Sequence, residues 1–388
     1  MMKRSVLSTL CASSNAAAHT VAFQGATRRI GVVSQLQRSF TSTSRRDANI
    51  THFTPTSSPE LDAELEEIRR KIILPSFLHP EQQKKIHSRK YADQLRSDPI
   101  TMEIDGQIFK FGYVHPRDYF ATRGNLVKAL AKFNGREDWA NLLPLLEGLH
   151  HADRELPHTI SAKIIRLAGM QGFINVILEC ARSVRRTGFK LDTAEKVNET
   201  LHRIQLKAVD SAWDLEETQQ ALRWARMVVD MLQDEGHKPK RPLGQKIIPG
   251  EIAMSRHPMV LIAPMHLAAA LVNRHDAGQD FVDMVHKYAR EIVALWPEGV
   301  QLTDLHPVSA VTHKEERFEI EVPSKFVAHY APLLHGLDEA IKVVGPELAS
   351  QLRSRRETLA TQVEENRKRG SADASSRGEV VYSKFYGA

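Results

Sequence analysis

The stretch MQGFINVILECARSVRRTGFKLD, residues 170–192, holds a helical run between two glycines. Gly172 opens the run, Ile177 and Cys180 share one apolar stripe at helical spacing, and Gly188 closes it. A helix with a single apolar stripe needs a neighbour to cover that stripe. The stretch therefore predicts the second half of a helical hairpin, which is either one unit of an array or one hairpin of an ordinary α-helical protein.

The same arrangement recurs on both sides of this stretch: an amphipathic helix, a break, and a second helix. The four segments that show it are residues 124–151, 158–188, 194–239 and 259–296. Hairpins repeated at a spacing of roughly 35 residues do not bury their apolar faces alone, so neighbouring hairpins stack. The predicted fold is mostly α, a short α-solenoid of helical hairpins with a small β-hairpin before it.

Composition divides the rest of the chain into further segments. The alternating stretch ITMEIDGQIFKFGY (100–113) predicts the β-hairpin, with its tight turn at Asp105-Gly106. The predicted organisation is helices and this hairpin in residues 47–121, the repeat region in 122–300, a loop, one strand (RFEIEV, 317–322) and helices in 301–369, and a flexible polar tail in 370–388.

The first 46 residues have the composition of a mitochondrial transit peptide. They contain seven Lys and Arg residues, no Asp or Glu, and many Ser, Thr and Ala residues. This leader predicts a protein of the mitochondrial matrix. The leader's seven positive charges exceed the net charge of +6, so the remainder of the chain is close to neutral, at about −1. Any surface that binds nucleic acid must therefore be a local basic patch.

The sequence lacks the motifs of the common enzyme classes. It contains no P-loop, no dinucleotide-binding fingerprint, no zinc-binding histidine pair on a helix and no nucleophile elbow. Cys11 and Cys180 are too few for a disulfide framework or a zinc site. No apolar run reaches the roughly 18 residues of a membrane span. We expect no enzyme, no cofactor, no bound metal and no small-molecule substrate, and we expect the four tryptophans to pack between helices.

Residues 159–192 resemble a pentatricopeptide repeat. They form a predicted hairpin of about 34 residues with a central Gly172, and they end in Gly-Phe-Lys-Leu-Asp (188–192), which is similar to the Gly-aliphatic-Lys-Pro-Asp end of that family. Residues 221–239 have a similar second helix and ending, whereas residues 122–157 match less well. The resemblance implies a helical-repeat protein of organelle gene expression.

In that family the RNA-facing side chains lie on the first helix of each repeat and at the repeat boundary. The resemblance assigns Lys163 to the first-helix position and Thr193 to the boundary position. The family generally has a small polar residue with Asp or Asn at these positions, so Lys163 is expected to contact phosphate rather than to read a base. The candidate RNA-binding residues are Lys163, Arg166, Arg185, Arg186, Lys190, Thr193, Lys238, Lys240 and Arg241. The alternative is a solvated basic face without a ligand.

Two functions remain open from the sequence. The first is a non-enzymatic mitochondrial factor that binds RNA or the mitochondrial ribosome, together with a protein partner, through the inner face of residues 122–300. The second is a protein-binding scaffold, such as an assembly factor for a respiratory-chain complex. The placement of Lys163, Arg166, Arg185 and Lys190 distinguishes them: a single basic strip favours RNA, and an acidic or apolar strip favours the scaffold.

Overall fold

The computed structural model describes residues 51–104, 106–120, 122–239, 252–305, 318–370 and 375–387. The predicted transit peptide, residues 1–46, lies outside these ranges and stays a prediction. Lys240 and Arg241 of the candidate RNA-binding set also lie outside them.

The N-terminal part combines short helices with the β-hairpin. Its helices are α1 (Pro59–Ile68), α2 (Pro80–Ile86), α3 (Ala92–Ser97) and α4 (Pro116–Phe120), with a π-helical turn at Arg69–Ile73 and 3₁₀ turns at Leu74–Phe77 and Arg89–Tyr91. The side chain of Ser58 caps α1 by accepting a hydrogen bond from the Leu61 amide at 3.2 Å.

The predicted β-hairpin is confirmed. Strands β1 (Ile100–Ile104) and β2 (Gln107–Phe111) pair antiparallel, with Ile100 opposite Phe111. Gly106 has φ +75°, a conformation that the tight turn between the strands requires and that glycine adopts without strain. Phe111 belongs to a small apolar cluster, separate from the main one, that also contains Leu78 and Ile86.

Fourteen further helices follow in the described residues. They are α5 (Thr122–Lys132), α6 (Arg136–Ala140), α7 (Leu142–His151), α8 (His158–Met170), α9 (Ile174–Arg182), α10 (Val184–Thr187), α11 (Ala194–Asp210), α12 (Leu215–Met231), α13 (Pro258–His275), α14 (Gln279–Leu295), α15 (Phe318–Glu321), α16 (Pro323–Ile341), α17 (Pro346–Arg369) and α18 (Arg377–Tyr386).

The long helices pack in two layers, as stacked hairpins do. The first-helix layer consists of α5, α8, α11, α13 and α16, and each of these helices contacts the next. The second-helix layer consists of α7, α9, α12, α14 and α17, of which α7 contacts α9, α9 contacts α12, and α14 contacts α17. One continuous apolar cluster, from Leu61 to Val363, lies between the elements. The predicted mostly α fold of helical hairpins is confirmed.

Glycine and tryptophan have the expected roles in these hairpins. Gly172 (φ +84°) and Gly188 (φ +63°) take the left-handed conformation at the two ends of the α9–α10 segment. Trp139 and Trp296 are completely buried. Cys180 is buried as well, and burial raises the pKa of its thiol, so it packs as a small apolar residue.

Two predictions about the C-terminal part are wrong. Within the predicted strand RFEIEV, Phe318–Glu321 form the short helix α15. A helix satisfies backbone hydrogen bonds locally, whereas a strand needs a partner, and within the described residues β1 and β2 pair with each other.

The predicted flexible tail is the second correction, because Arg377–Tyr386 form the helix α18, which packs on α16. Gly378 permits this contact: a Cβ there would lie 2.7 Å from the Ser324 carbonyl oxygen, and the Gly378 amide donates to Ser324 Oγ at 3.0 Å. Val381 is buried beside Ala328. The tail is therefore ordered by a surface that is distant in sequence.

Candidate functional site

Two of the candidate RNA-binding residues lie together on the first-helix layer. Lys163 and Arg166 are three residues apart on α8, so their side chains project from the same face, and both are half-buried. Burial lowers the pKa of Arg203 on the next helix, α11, and the nearby charge of Arg166 contributes to that shift. Neither Lys163 nor Arg166 forms an ion pair within the part of the chain that the structure describes.

The other candidates lie elsewhere and have structural contacts. Arg185 and Arg186 are exposed on α10, which packs on α7 and α9, and Arg186 Nη2 lies 2.8 Å from Glu147 Oε1. Thr193 caps α11, because its hydroxyl accepts from the Lys196 amide at 3.4 Å.

The remaining two described candidates are also separate. Lys190 is half-buried and lines a cavity of about 110 Å³ together with His150 and Asp192. Lys238 is exposed and pairs with Glu235. The structure thus brings Lys163 and Arg166 together and divides the other candidates among the hairpin ends.

The first-helix layer beyond α8 is covered by the chain's own C-terminal helix. Helix α18 contacts both α16 and α11. The ring of Phe385 lies 5.3 Å from His335, 5.9 Å from His266 and 6.5 Å from Trp213, measured between ring centroids. An extended ligand cannot reach this part of the layer while α18 is in place.

The surface beneath α18 contains two carboxylates that pair with cations of that helix. Glu199, 2% exposed, accepts hydrogen bonds from Arg203 Nε at 3.1 Å, from His329 Nε2 at 2.9 Å and from Arg377 Nη2 at 2.5 Å. Burial alone would raise the pKa of Glu199, but the hydrogen bond from His329 and the surrounding charges hold it well below its usual range. Lys384 Nζ on α18 lies 2.5 Å from Asp210 Oδ1.

The first-helix layer therefore differs along its length. At α8 it presents Lys163 and Arg166, which form no ion pair in the described residues, whereas at α11 the carboxylates of Glu199 and Asp210 are paired with cations of α18. Helix α18 covers this second part, so a polyanion such as RNA does not reach it. The basic part is the region of this layer that suits a phosphate backbone.

Two hydrogen-bonded histidines, His266 on α13 and His335 on α16, connect these helices with α11. Gln205 Nε2 lies 2.9 Å from His266 Nδ1, and His266 Nε2 lies 2.8 Å from His335 Nδ1. If the Gln205 amide donates, His266 carries its proton on Nε2 and donates to His335, so both rings are neutral. Gly336 allows the close packing of α13 on α16, because a Cβ there would lie 2.8 Å from the Cβ of His266. Glu339 Oε1 lies 3.7 Å from His335 Nε2.

These histidines make the stability of the protein sensitive to mild acid. Burial lowers the pKa of His335 to about 4 and that of His266 well below its usual value. The unfolded chain takes up protons first as the pH falls below about 6.5, so stability is lost from there downward, until the folded protein also binds protons. Between pH 7 and pH 5.5 we expect the two histidines together to lower the free energy of unfolding by about 2 to 3 kcal/mol.

Denaturant titrations at a series of pH values measure this loss. His335→Gln keeps an acceptor for His266 and removes one titrating group, so we expect a shallower dependence on pH for this variant. The same slope in the wild type and in the variant would contradict the assignment.

Sequence reasoning missed the residues that hold α18. Glu199 and Arg377 are 178 positions apart, and no local pattern connects them. The one available signal was the amphipathic spacing of Val381 and Phe385 in the last segment. Within the described residues, no group of three or more His, Cys, Asp or Glu side chains is arranged to hold a metal ion. No helix among these residues is both long enough and apolar enough to cross a bilayer.

Comparison with known proteins gives two matches of nearly full length. The sequence model of a family described as "Mitochondrial ribosomal protein mS27" matches residues 38–384. The small ribosomal subunit protein mS27 of Neurospora crassa is 35% identical over 372 residues, which cover 91% of this chain and 93% of that protein.

Proposed function

Because the chain belongs to the mitochondrial ribosomal protein mS27 family, we propose that it is a component of the small subunit of the mitochondrial ribosome. It has a mitochondrial ribosome-associated role in organelle translation, and its compartment is the mitochondrial matrix. The observation that carries this conclusion is the match to the relative over more than nine-tenths of both chains. The family model, which matches residues 38–384, covers the hairpins and most of α18. The match supports the ribosomal function and not the alternative of a respiratory-chain assembly factor.

We further propose that this role is structural and not catalytic. The polar groups buried between α11, α16 and α18 pair with one another: Glu199 with Arg203, His329 and Arg377, and Glu195 with Lys325 at 2.7 Å. Paired groups of this kind hold helices in place and do not face a cleft in which a substrate would bind. This arrangement supports the proposal that the protein acts through contacts at its surface and not through a buried catalytic site.

For RNA we propose a contact at α8. Lys163 and Arg166 would bind phosphate groups of ribosomal RNA, since they are adjacent and have no acidic partner in the described residues. We also propose that the hairpins are degenerate pentatricopeptide repeats. The left-handed glycines at positions 172 and 188 and the length of about 34 residues of the second hairpin support this proposal. Because Lys163 and Thr193 differ from the residues that the family generally has at these positions, we expect phosphate contact and no base-specific recognition.

Sedimentation tests the proposed function. We expect the tagged chain, in mitochondrial lysates on sucrose gradients, to migrate with the small subunit and with whole ribosomes. After removal of Mg²⁺ separates the subunits, it should stay with the small one. RNase treatment, which breaks up the particle, should move it towards the top of the gradient, whereas a soluble matrix enzyme stays at the top throughout. Sedimentation with inner-membrane complexes, unchanged by RNase, would contradict the proposal.

A further inference from the structure

The second-helix layer contains a groove that the chain leaves open. It lies between the second helices of three consecutive hairpins, α6–α7, α9 and α12, and has a volume of about 420 Å³. Leu143, Val176, Trp224 and Met227 form its apolar walls, and all four remain partly exposed. This volume is several times that of a single aliphatic side chain, so the groove accommodates more than one apolar group.

The walls of the groove are held by the core behind them. Leu143, Val176 and Trp224 pack against the continuous apolar cluster of the hairpins. The indole of Trp224 also has a cation beside it, because Lys207 Nζ lies 5.4 Å from the ring centroid, and Lys207 itself pairs with Glu217. Covering apolar surface stabilises a complex by about 25 cal/mol per Å², and a groove that is already formed loses little entropy on binding.

The rim of the groove is polar and carries charges of both signs. Asn175, Glu179 and Arg182 line it on α9, and all three are exposed. Arg223 is exposed on α12 one turn before Met227, so it projects from the same side of that helix. Arg182 and Arg223 form no ion pair within the described part of the chain. Arg182 and Arg223 therefore present two positive charges beside the apolar walls of the groove.

These features favour a protein as the occupant. Six of the nine residues that line the groove are apolar, whereas RNA binding depends on neutralising several phosphates with clustered cations. A tryptophan, a methionine and an arginine in one apolar depression are the residue types that dominate protein interfaces. A groove between parallel rods suits an amphipathic helix, which places apolar side chains at i, i+3 or i+4, and i+7.

We propose that this groove is the docking site for an amphipathic helix of a neighbouring ribosomal protein, with acidic residues beside its apolar anchors to meet Arg182 and Arg223. The inference rests on the proposed function, since it assumes that the chain lies within the small subunit. It assigns protein contact to the second-helix layer and leaves the basic part of the first-helix layer, at α8, for RNA.

Crosslinking within intact ribosomes tests the occupant. The photoreactive amino acid benzoylphenylalanine is incorporated in place of Met227 in the full-length chain, ribosomes are isolated on gradients and irradiated, and the products are identified by mass spectrometry. We expect crosslinks to a protein segment that has apolar residues at helical spacing and flanking Asp or Glu residues. The control replaces Met170, which is 65% exposed and lies outside the groove, and should not give these products. Crosslinks to ribosomal RNA, or none at all, would overturn the proposal.

Charge reversal supplies the second test. The double variant Arg182→Glu with Arg223→Glu opposes an acidic partner, and we expect the crosslink yield from position 227 to fall roughly tenfold. Arg353→Glu on α17, which is exposed and distant in sequence, is the matched control and should leave the yield unchanged. Thermal unfolding of the free chain checks that each variant folds. An equal yield from the double variant and the control would overturn the proposed charge match.

The two proposals fail in different ways. A wild-type chain that does not sediment with the small subunit removes the proposed function, and the groove loses its assigned partner with it. A wild-type chain that sediments with the small subunit, but gives no protein crosslink at position 227, removes the groove proposal alone.

Discussion

Replacing Glu199 by alanine is expected to lower the free energy of unfolding by about 3 to 5 kcal/mol. The carboxylate of Glu199 is the shared acceptor for Arg203, His329 and Arg377, which belong to three different helices. Removing it leaves two guanidinium groups close together, with one of them, Arg203, mostly buried. Unpaired charge of this kind costs far more than the pair itself contributes.

Urea unfolding measures the loss, and hydrogen exchange locates it. We expect the amides of α18 to lose protection first, because Arg377 anchors that helix to Glu199. Glu357→Ala, on the exposed face of α17, is the matched control and should change stability by less than about 0.5 kcal/mol. The double variant Glu199→Ala with Arg377→Ala should cost less than the sum of the two single changes. A strictly additive result would contradict the pairing.

Replacing Trp139 by alanine is expected to destabilise the protein by about 3 to 5 kcal/mol. The indole is completely buried, with its ring centroid 5.1 Å from that of Phe133 and 6.3 Å from that of Phe173. Its Nε1–H donates to Gln171 Oε1 at 2.8 Å, and Gln171 Nε2 donates in turn to the Phe133 carbonyl oxygen at 2.9 Å. The substitution leaves a large cavity and breaks this connection between the first two hairpins.

Two further variants separate the causes of that loss. Trp139→Phe keeps most of the volume and removes the indole donor, so we expect a smaller effect of about 1 to 3 kcal/mol. Trp224→Ala is the contrasting control, because its ring is partly exposed, and it should destabilise the free chain less than Trp139→Ala does. Thermal unfolding of the purified chains compares the three. An equal loss for both alanine variants would contradict the packing role assigned to Trp139.

Features with a local cause were predictable from the sequence. Helical periodicity indicated the hairpins, because each stripe of apolar residues must face a neighbouring helix. The Asp105-Gly106 pair indicated the β-hairpin, because that turn needs a residue with positive φ and Gly106 supplies it. The burial of Trp139 and Trp296 was predictable because one tryptophan supplies much of the apolar area that a small hairpin can bury.

Features that depend on distant contacts were not predictable. Helix α18 is short and amphipathic, and we attribute its stability to contacts of Arg377, Lys384 and Phe385 with residues more than 100 positions away. The pairing of Glu199 and Asp210 on α11 with cations from the end of the chain was not predictable for the same reason. The candidate RNA-binding residues stay a prediction, but the structure shows that the described ones do not form a single surface. Lys163 and Arg166 lie together, and the other described candidates lie at separate places.

The contacts of Glu199 have a consequence for the order in which the hairpins stack. Apolar stripes on neighbouring helices resemble one another, so a helix could slide by one turn, about 5.4 Å, and still bury leucines and valines. Such a slip would carry Glu199 out of reach of His329 and Arg377, so the charges of Glu199 and Arg377 would lose each other as partners. Buried ionic groups can select one register among several of similar energy. The contacts of Glu199 with His329 and Arg377 therefore favour one alignment of α11, α16 and α18 over alignments shifted by a turn.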